Sequence, residues 1–363
     1  MKIVTVAGTR PQLVKVASVS RELRKYATEV LVNTGQHYDY RMAGVFFEEL
    51  QIPKPDYDLG IGSASHGKQT GEMLMAIEEV LIKESPDAVL VYGDTNSTIA
   101  GALAASKLHL PVIHVEAGLR SFNKTMPEEI NRIITDHVSS LLFSPTGAAI
   151  DNLRQENITE NVIETGDVMY DAVLYNIGIA EEKYQLEAFG VKEKKYILAT
   201  IHRAENTDSE ERLSAIFRAF AALDDDVILP LHPRTKNKLR EFGLEHLLVN
   251  AANIKAIEPV SYLEMLLLEK NASTIVTDSG GVQKEAYFAR VPCLTVRPET
   301  EWVETVEAGC NMLVDPVKED LSVVIKNFRP KSFEVQLYGD GKAAQKIAKE
   351  TMMYLERKTA LSG

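Results

Sequence analysis

Short apolar runs rich in β-branched residues alternate along the chain with longer amphipathic stretches. Continuous apolar runs of four to six residues are typical of parallel strands that are buried on both faces. Alternation of such strands with helical patterns predicts an α/β protein with two doubly wound, Rossmann-like sheets. The predicted strands are 3–6, 29–33, 87–92, 111–115, 141–143 and 162–163 in the first half, and 196–200, 227–231, 254–257, 274–276 and 294–296 in the second.

The length of 363 residues is sufficient for two domains of ordinary size. We predict a first domain over 1–166, which the C-terminal helix at about 350–363 rejoins, and a second domain over 167–349. Helices are predicted at 12–25, 42–50, 69–83, 169–177, 282–289 and 341–357, from about 98 to Lys107, and from Pro127 onwards.

Composition narrows the class of protein. The net charge of −12 argues against bulk attraction to nucleic acid or to an anionic membrane. The only cysteines, Cys293 and Cys310, have apolar or small neighbours, which indicates a reducing compartment without a disulfide framework. No apolar run reaches membrane-spanning length, and we expect a cytoplasmic protein.

The stretch Thr277-Asp278-Ser279-Gly280-Gly281 follows a predicted strand and precedes a predicted helix. Ser279 is a good N-cap residue, and the two glycines let a ligand approach the backbone closely. A helix N-terminus with free N–H groups binds anions, and Glu285 one turn later suits a pair of sugar hydroxyls. The alternative is that Asp278 and Ser279 only cap the helix.

Charged residues also follow the strands of the first half. Arg10 and Lys15 lie just after the first strand, where cations are unusual at a helix start unless they face an anion or solvent. Asp94 follows the third strand, at the edge where ligands bind in open α/β sheets, although it could equally cap the next helix.

Two further carboxylates are candidates for chemistry. Glu116 ends an apolar strand, where an unpaired charge is costly. Glu128 and Glu129 lie in the first turn of a helix that begins at Pro127. A favourable interaction with the helix dipole explains one of these glutamates. The other, together with Arg132, is available for binding or catalysis.

In the second half, polar residues end nearly every strand. The carboxyl ends of parallel strands share one edge, so His202, His232, Ser279 and Arg297 are expected to converge. H-E-x-x-H is absent and the histidines are scattered, so we expect no metal site. A P-loop is absent as well, which argues against ATP hydrolysis. A group of carboxylates suits proton removal and return. These residues predict a two-domain enzyme that acts on a nucleotide or nucleotide sugar.

Six motifs extend this interpretation, and together the set resembles the UDP-N-acetylglucosamine 2-epimerase family, which has a glycosyltransferase-B-like fold. The resemblance covers nearly the whole chain. The motifs are Gly8-Thr9-Arg10-Pro11, Gly93-Asp94-Thr95, His114-Val115-Glu116-Ala117-Gly118-Leu119-Arg120, Pro127-Glu128-Glu129-Ile130-Asn131-Arg132, His202-Arg203 and Thr277-Asp278-Ser279-Gly280-Gly281.

The resemblance implies interconversion of UDP-GlcNAc and UDP-ManNAc without an external cofactor. It implies two domains facing across a cleft, a UDP-sugar as ligand and a homodimer. In the implied mechanism the sugar C2 proton is removed and UDP is eliminated anti. The resulting 2-acetamidoglucal takes UDP back, with the proton added on the other face.

The resemblance also assigns roles to individual positions. Asp94, Glu116 and Glu128 form the acid/base set, with the identity of the base left open, and His202 joins them near the diphosphate. Lys15 and Arg132 support the site, and Glu285 holds the ribose. Arg10, Ser279, Gly280 and Gly281 bind the diphosphate, and Gln36, His37, Arg203 and His232 are candidates for substrate regulation.

Some positions depart from the family pattern, and alternatives stay open. Trp302 replaces an arginine common in bacterial members, for which Arg297 could substitute, and Ala204 replaces a second arginine. Residues 38–40 and 301–303 are similar to UDP-2,3-diacetamido-glucuronate epimerases too. A hydrolysing 2-epimerase and an acceptor-dependent glycosyltransferase are further alternatives, and a nucleotide-sugar sensor is the weakest one.

Overall fold

The structure is a computed structural model that describes residues 1–35, 50–333 and 336–362. The chain forms two compact units. The first comprises Met1–Ala172 together with Tyr338–Gly363, and the second comprises Val173–Leu337. The predicted domain boundaries, at 166/167 and about 350, stay a prediction. The two compact units of the structure meet at 172/173 and 337/338.

The first unit is a seven-stranded parallel sheet in the order β3-β2-β1-β4-β5-β6-β7. Its elements are β1 Lys2–Ala7, α1 Arg10–Leu23, β2 Thr28–Asn33, β3 Tyr57–Asp58, α2 His66–Glu84, β4 Ala88–Tyr92, α3 Asn96–Lys107, β5 Val112–Val115, α4 Pro127–Val138, β6 Leu141–Ser144, α5 Gly147–Gln155 and β7 Val162–Glu164. Helix α6 (Val168–Lys183) continues into the second unit.

The second unit is a six-stranded parallel sheet in the order β10-β9-β8-β11-β12-β13. Its elements are β8 Tyr196–Thr200, α7 Ala204–Thr207, α8 Glu210–Ala221, β9 Asp226–Pro230, α9 Pro233–Glu241, α10 His246–Val249, β10 Ile254–Ile257, α11 Tyr262–Asn271, β11 Thr274–Thr277, α12 Gly280–Phe288, β12 Cys293–Thr295, α13 Val303–Glu307, β13 Asn311–Leu313 and α14 Leu321–Asn327. The last helix, α15 Ala343–Ser362, belongs to the first unit and packs on α1.

Each unit has its own hydrophobic core, built from the strand faces and the helices that cover them. Val4, Val6 and Val91 from β1 and β4 pack with Met73 and Ile77 of α2. In the second unit, strand residues such as Val227 and Val276 pack with Phe217 and Phe220 of α8. Full burial of each such side chain contributes about 1.5–3 kcal/mol. The cores therefore fix the sheets from which the polar turns project.

Both sheets reverse their strand order at the point where ligands bind in open α/β folds. In the first unit this point lies between β1 and β4, whose following turns contain Gly8 and Asp94. In the second unit it lies between β8 and β11, whose following turns contain His202 and Ser279. The predicted polar residues therefore lie at the switch points of the two sheets.

The predicted fold class is confirmed, and the differences concern short or charged segments. Strands β3 and β13 were missed because two or three residues carry too little pattern to predict a strand. Helix α6 extends to Lys183, six residues beyond the predicted end at residue 177. The predicted helix 42–50 falls largely outside the described residues. Within the described ranges, none of the helices has the length and apolarity that a bilayer crossing requires.

Candidate active site

The turn after β1 is held by close packing and by a capping glutamine. A Cβ at Gly8 would lie 1.8 Å from Thr34 Oγ1, so only glycine fits there. The Gln12 side chain accepts hydrogen bonds from the N–H groups of Gly8 (2.9 Å) and Thr9 (3.2 Å). This capping fixes the start of α1, and Arg10, its first residue, is exposed.

Asp94 is not the cap of the helix that follows it. Thr95 occupies the N-cap of α3, and its side chain accepts a hydrogen bond from the Thr98 N–H. The Asp94 carboxylate instead accepts a hydrogen bond from Arg132 Nη2 at 2.5 Å, while Asn131 Nδ2 donates to the Asp94 carbonyl at 2.9 Å. The side chain of Asp94 is therefore held by α4 and remains 30% exposed.

Glu116 is paired and its backbone is strained. Its φ of 72° lies in the left-handed region, which costs a non-glycine residue about 1 kcal/mol or more. The carboxylate forms an ion pair with Lys15. Burial alone would lower the pKa of Lys15, but the charge of Glu116, aided by Asp167 and Asp94, raises it. Lys15 is thus a firmly charged partner of the strained glutamate.

The adjacent acids Glu128 and Glu129 have different functions. Glu129 is buried and accepts hydrogen bonds from the N–H groups of Ser121 (2.9 Å) and Phe122 (2.8 Å) and from Arg132 (2.7 Å). Burial would raise its pKa, but these donors lower it, so it is a structural carboxylate. Glu128 is exposed on the other side of the helix start. Glu128 is therefore the member of the pair that is available to a ligand.

Asp94 and Glu128 line the same cavity, which has a volume of about 220 Å³ and which we call the carboxylate cavity. Sequence reasoning missed His66, the first residue of α2, which lines it as well. The His66 Nδ1 lies 3.1 Å from Asn96 Nδ2 and accepts its hydrogen bond. The cavity is lined by Thr9, Pro11, His66, Asp94, Thr95, Asn96, Pro127, Glu128 and Asn131.

A buried network supports the turns that carry Asp94 and Glu116. The imidazole of His114 lies 2.7 Å from the Gly93 carbonyl and 2.7 Å from Asp136 Oδ1. Arg120 Nη1 donates to the other oxygen of Asp136 at 2.7 Å. Burial would raise the pKa of Asp136, but His114 and Arg120 lower it. The network fixes the position of Gly93, whose Cβ would lie 3.1 Å from the Glu116 carboxylate.

In the second unit, Asp278 joins the turns after β8 and β11. It is completely buried and accepts hydrogen bonds from the N–H groups of His202 and Arg203 at 3.0 Å and from Asn206 Nδ2 at 3.1 Å. Asp278 therefore does not cap its own helix. It holds the His202–Arg203 turn beside the start of α12.

The two histidines of the second sheet lie against each other. The ring centroids of His202 and His232 are 5.3 Å apart, and His202 Nδ1 is 3.5 Å from Asp278 Oδ1. Burial lowers the pKa of His202 despite the carboxylate of Asp278. The expected convergence of the β8 and β9 ends is thus confirmed.

Ser279 occupies the N-cap position of α12, but its side chain makes no capping hydrogen bond. Its N–H donates to Thr277 Oγ1 at 2.9 Å. The first N–H groups of a helix lack intrahelical acceptors, and their partial positive charge favours an anion. A Cβ at Gly281 would meet only Ser279 Oγ, at 3.9 Å, so the space beside this helix start is open.

Arg297 and Trp302 flank the start of α12. Arg297 is nearly buried and binds both oxygens of Glu301, at 2.9 and 3.0 Å. Trp302 Nε1 donates to the Gly280 carbonyl at 2.8 Å, and Lys284 Nζ lies 4.2 Å from the centroid of its ring. Trp302 therefore braces the glycine turn, and Arg297 holds Glu301 next to it.

Comparison with known proteins gives a consistent result. A family model described as UDP-N-acetylglucosamine 2-epimerase matches residues 21–351. A UDP-N-acetylglucosamine 2-epimerase homolog of Methanococcus maripaludis is 54% identical over 96% of this chain and 98% of that protein. The UDP-2,3-diacetamido-2,3-dideoxy-D-glucuronate 2-epimerase of Pseudomonas aeruginosa is 48% identical over 96% of this chain and 98% of its own length.

The chain belongs to the UDP-N-acetylglucosamine 2-epimerase family.

A solved structure supports the same assignment. The UDP-GlcNAc 2-epimerase of Methanocaldococcus jannaschii superposes with a TM-score of 0.89 at 46% identity, over 98% of this chain and all of that one. The sequence resemblance is therefore confirmed, and the protein is an epimerase with the two parallel sheets of that family.

In this epimerase the structure groups the predicted residues within each unit. Asp94 and Glu128 share the carboxylate cavity, and Arg132 contacts Asp94. Lys15 and Glu116 form an ion pair, and the charge of Asp94 also raises the pKa of Lys15. Their catalytic and binding roles stay predictions, as do those of Arg10 and Glu285.

In the second unit Arg203 and His232 lie with His202, close to the start of α12. Arg203 Nη2 lies 3.7 Å from the position of a Cβ on Gly280. Their predicted regulatory role is untested, and Gln36 and His37, which share that prediction, lie outside the described residues. His66 was missed because a histidine after a serine at a helix start carries no motif.

Proposed function

We propose that this epimerase interconverts UDP-N-acetylglucosamine and UDP-N-acetylmannosamine by elimination and re-addition of UDP. The M. jannaschii relative, 48% identical in a second structure, was solved in complex with UDP-GlcNAc and UDP. The observation that carries the proposal is the carboxylate cavity, in which two acids that the fold does not use as caps face one space.

The first unit supplies the proton chemistry. One carboxylate of the set Asp94, Glu116 and Glu128 takes the proton from C2 of the sugar, and the electron pair of that C–H bond forms the C1=C2 double bond. The bond between C1 and the diphosphate oxygen breaks with its electrons on UDP. A second carboxylate returns a proton to the opposite face of C2 while a UDP oxygen attacks C1. The reaction is redox-neutral.

Most of the groups that stabilise the leaving group come from the second unit. The N-terminus of α12, at Ser279, Gly280 and Gly281, offers N–H groups and a positive dipole end to the diphosphate, and Arg10 is assigned to the same anion. His202 is held beside the helix start through Asp278. In this proposal Glu285 binds the ribose, and Arg297, which pairs with Glu301, keeps its predicted role in UDP binding.

A second candidate reaction is epimerisation of a UDP-diacetamido-glucuronate. The P. aeruginosa enzyme of that activity and the M. jannaschii UDP-N-acetylglucosamine 2-epimerase are both 48% identical to this chain. Charge favours the uncharged hexosamine, because the described residues lining the carboxylate cavity include no lysine or arginine to receive a uronate carboxylate. Arg132, which pairs with the cavity residue Asp94, is also engaged by Glu129.

Incubation with UDP-GlcNAc in D₂O, followed by proton NMR, tests the proposal. The UDP-ManNAc formed should carry deuterium at C2, and traces of UDP and 2-acetamidoglucal should accumulate slowly. Retention of the original C2 hydrogen would exclude the elimination route. Stoichiometric release of free ManNAc would indicate a hydrolysing enzyme, and turnover only of the diacetamido-glucuronate substrate would favour the second candidate.

Assembly and regulation are further parts of the proposal. We propose a homodimer, as the family resemblance implies, and a regulatory role for Gln36, His37, Arg203 and His232. The structure offers a physical basis for coupling at two of these positions, because His232 lies against the ring of His202 and the Arg203 N–H binds Asp278.

A further inference from the structure

A buried acid that the proposed mechanism does not use lies next to Glu285, the residue that is proposed to bind the ribose. Glu269, in the last turn of α11, is completely buried. Neither of its carboxyl oxygens accepts a hydrogen bond from a described residue. An ionised carboxylate without a donor is strongly disfavoured in such a place, so the group is expected to neutralise.

The neighbour of this acid is a second carboxyl group. The side chains of Glu269 and Glu285 contact each other, and the phenol of Tyr262 lies against Glu285. Tyr262 and Glu269 are seven residues apart on α11, which places both on the face towards α12. Two carboxyl groups in contact can form a hydrogen bond only if one of them carries a proton.

The surroundings decide which carboxyl holds the proton. Burial raises the pKa of Glu285 as well, but this side chain is partly exposed, and contacts with Tyr262 and the charge of Lys284 lower its pKa. Glu269 is completely buried, and apart from Glu285 the titratable groups on which its charge acts are Tyr262, Tyr196 and Cys293, all neutral in their ordinary state. Burial, and then Glu285, raise the pKa of Glu269 well above its ordinary value. The proton therefore belongs to Glu269.

We propose that Glu269 is a positioning residue that stays protonated and donates to the Glu285 carboxylate, fixing it for two-point binding of the vicinal hydroxyls of the nucleotide ribose. The inference rests on the proposed function, in which Glu285 is the ribose ligand. A carboxylate that accepts a hydrogen bond from a fixed donor keeps its charge, and its orientation towards the diol is fixed.

Infrared spectroscopy tests the protonation directly, first without nucleotide and then with UDP bound. The difference spectrum of wild type minus Glu269→Gln at pH 8 should contain the carbonyl band of a protonated carboxylic acid, and UDP binding should shift that band. Absence of the band would overturn the inference whether or not the enzyme turns over substrate.

Calorimetry with UDP and 2′,3′-dideoxy-UDP tests the positioning role. Wild type should bind UDP more tightly than the dideoxy analogue. Glu269→Gln should keep that preference because its amide still donates a hydrogen bond. In Glu269→Met the preference should fall at least about tenfold, since a hydrogen bond to a charged group is lost. Leu268→Met, a buried change on the same helix, should leave the preference unaltered.

The outcomes separate this inference from the proposed function. Equal ribose preference in wild type and Glu269→Met would overturn the positioning role even if C2 exchange in D₂O is normal. Ribose preference that depends on Glu269, found together with no C2 exchange, would support the inference while the proposed reaction fails. Should Glu269→Met not fold, the infrared band of wild type decides alone.

Discussion

At the scale of single residues, charge pairing and strain mark the carboxylates that chemistry would use. Glu116 keeps a left-handed backbone that only glycine adopts freely, and its carboxylate is held by Lys15. Asp94 is released from capping by Thr95 and is held by Arg132 instead. Both acids are thus oriented by a cation. Glu129 is instead a structural carboxylate, which binds the backbone N–H groups of Ser121 and Phe122.

Conservative removal of these charges tests their role. We expect Asp94→Asn, Glu116→Gln and Glu128→Gln each to lower kcat more than about a hundredfold, the usual scale of general acid–base loss. UDP affinity, measured by calorimetry, should change much less because the diphosphate is assigned to the N-terminus of α12 and to Arg10, not to these acids. The exposed Glu79→Gln serves as a matched control and should keep the wild-type rate.

Near-normal rates in all three variants would reduce these acids to structural partners. A loss of rate in Glu128→Gln alone would assign the proton transfer to Glu128. Unlike Asp94 and Glu116, this acid forms no ion pair with a described residue. A loss of rate with an equal loss of UDP affinity would instead point to damage of the fold.

At the scale of elements, two glycines in turns at the switch points of the two sheets have different functions. Gly8 follows β1 and has no room for a Cβ, whereas Gly281 in the first turn of α12 faces open space. The first is required by packing. The second leaves the helix start accessible to an anion.

We therefore expect Gly281→Val to weaken UDP binding by at least about tenfold while thermal unfolding changes little. A branched side chain blocks approach of the diphosphate without clashing with the protein. Gly8→Ala, the matched variant, should lower the free energy of unfolding by about 1–3 kcal/mol, as overpacking does. Unchanged UDP affinity in Gly281→Val would remove this helix start from the site.

A half-buried aspartate, Asp171, couples α6 to the C-terminal helix α15. The carboxylate of Asp171 accepts hydrogen bonds from the N–H groups of Ala343 (3.1 Å) and Ala344 (2.9 Å). Burial raises its pKa from 3.8 to about 6, with Asp167 and Asp340 adding to the shift and these hydrogen bonds opposing it. A raised carboxyl pKa favours the protonated form in the folded state.

Asp171 should therefore stabilise the fold most below about pH 4 and lose that contribution as the pH rises through 6. A shift of about two units corresponds to at most about 3 kcal/mol. Chemical denaturation of wild type and Asp171→Asn from pH 4 to 8 checks this, and the stability of the variant relative to wild type should rise across pH 4–6. A difference that does not vary with pH would contradict the assignment.

At the scale of the whole molecule, each unit is a parallel sheet with its polar groups at one switch point. The proposed elimination and re-addition leave no net oxidation or reduction, and the charge of the leaving UDP is assigned to N–H groups and arginine. Turnover should consequently survive dialysis against EDTA with no nicotinamide added. An activity lost on dialysis and restored by a divalent ion would refute this expectation.

The local pattern of the sequence was sufficient for the alternating elements of both sheets. It also identified the strand-end positions of Asp94, Glu116, His202 and Ser279. Periodicity and β-branched runs encode buried parallel strands directly, and parallel strands must bring their carboxyl ends to one edge. For these reasons the fold class and the approximate place of the candidate site could be predicted before any tertiary contact was known.

Only the tertiary structure decided which of two equivalent side chains serves the fold and which is available to a ligand. Sequence could not separate Glu128 from Glu129, because their functions depend on the loop at 121–122 that turns back onto α4. It could not reveal His66 or Glu269 either. The significance of these two residues comes from neighbours brought close by folding, Asn96 and Glu285, and not from any pattern along the chain.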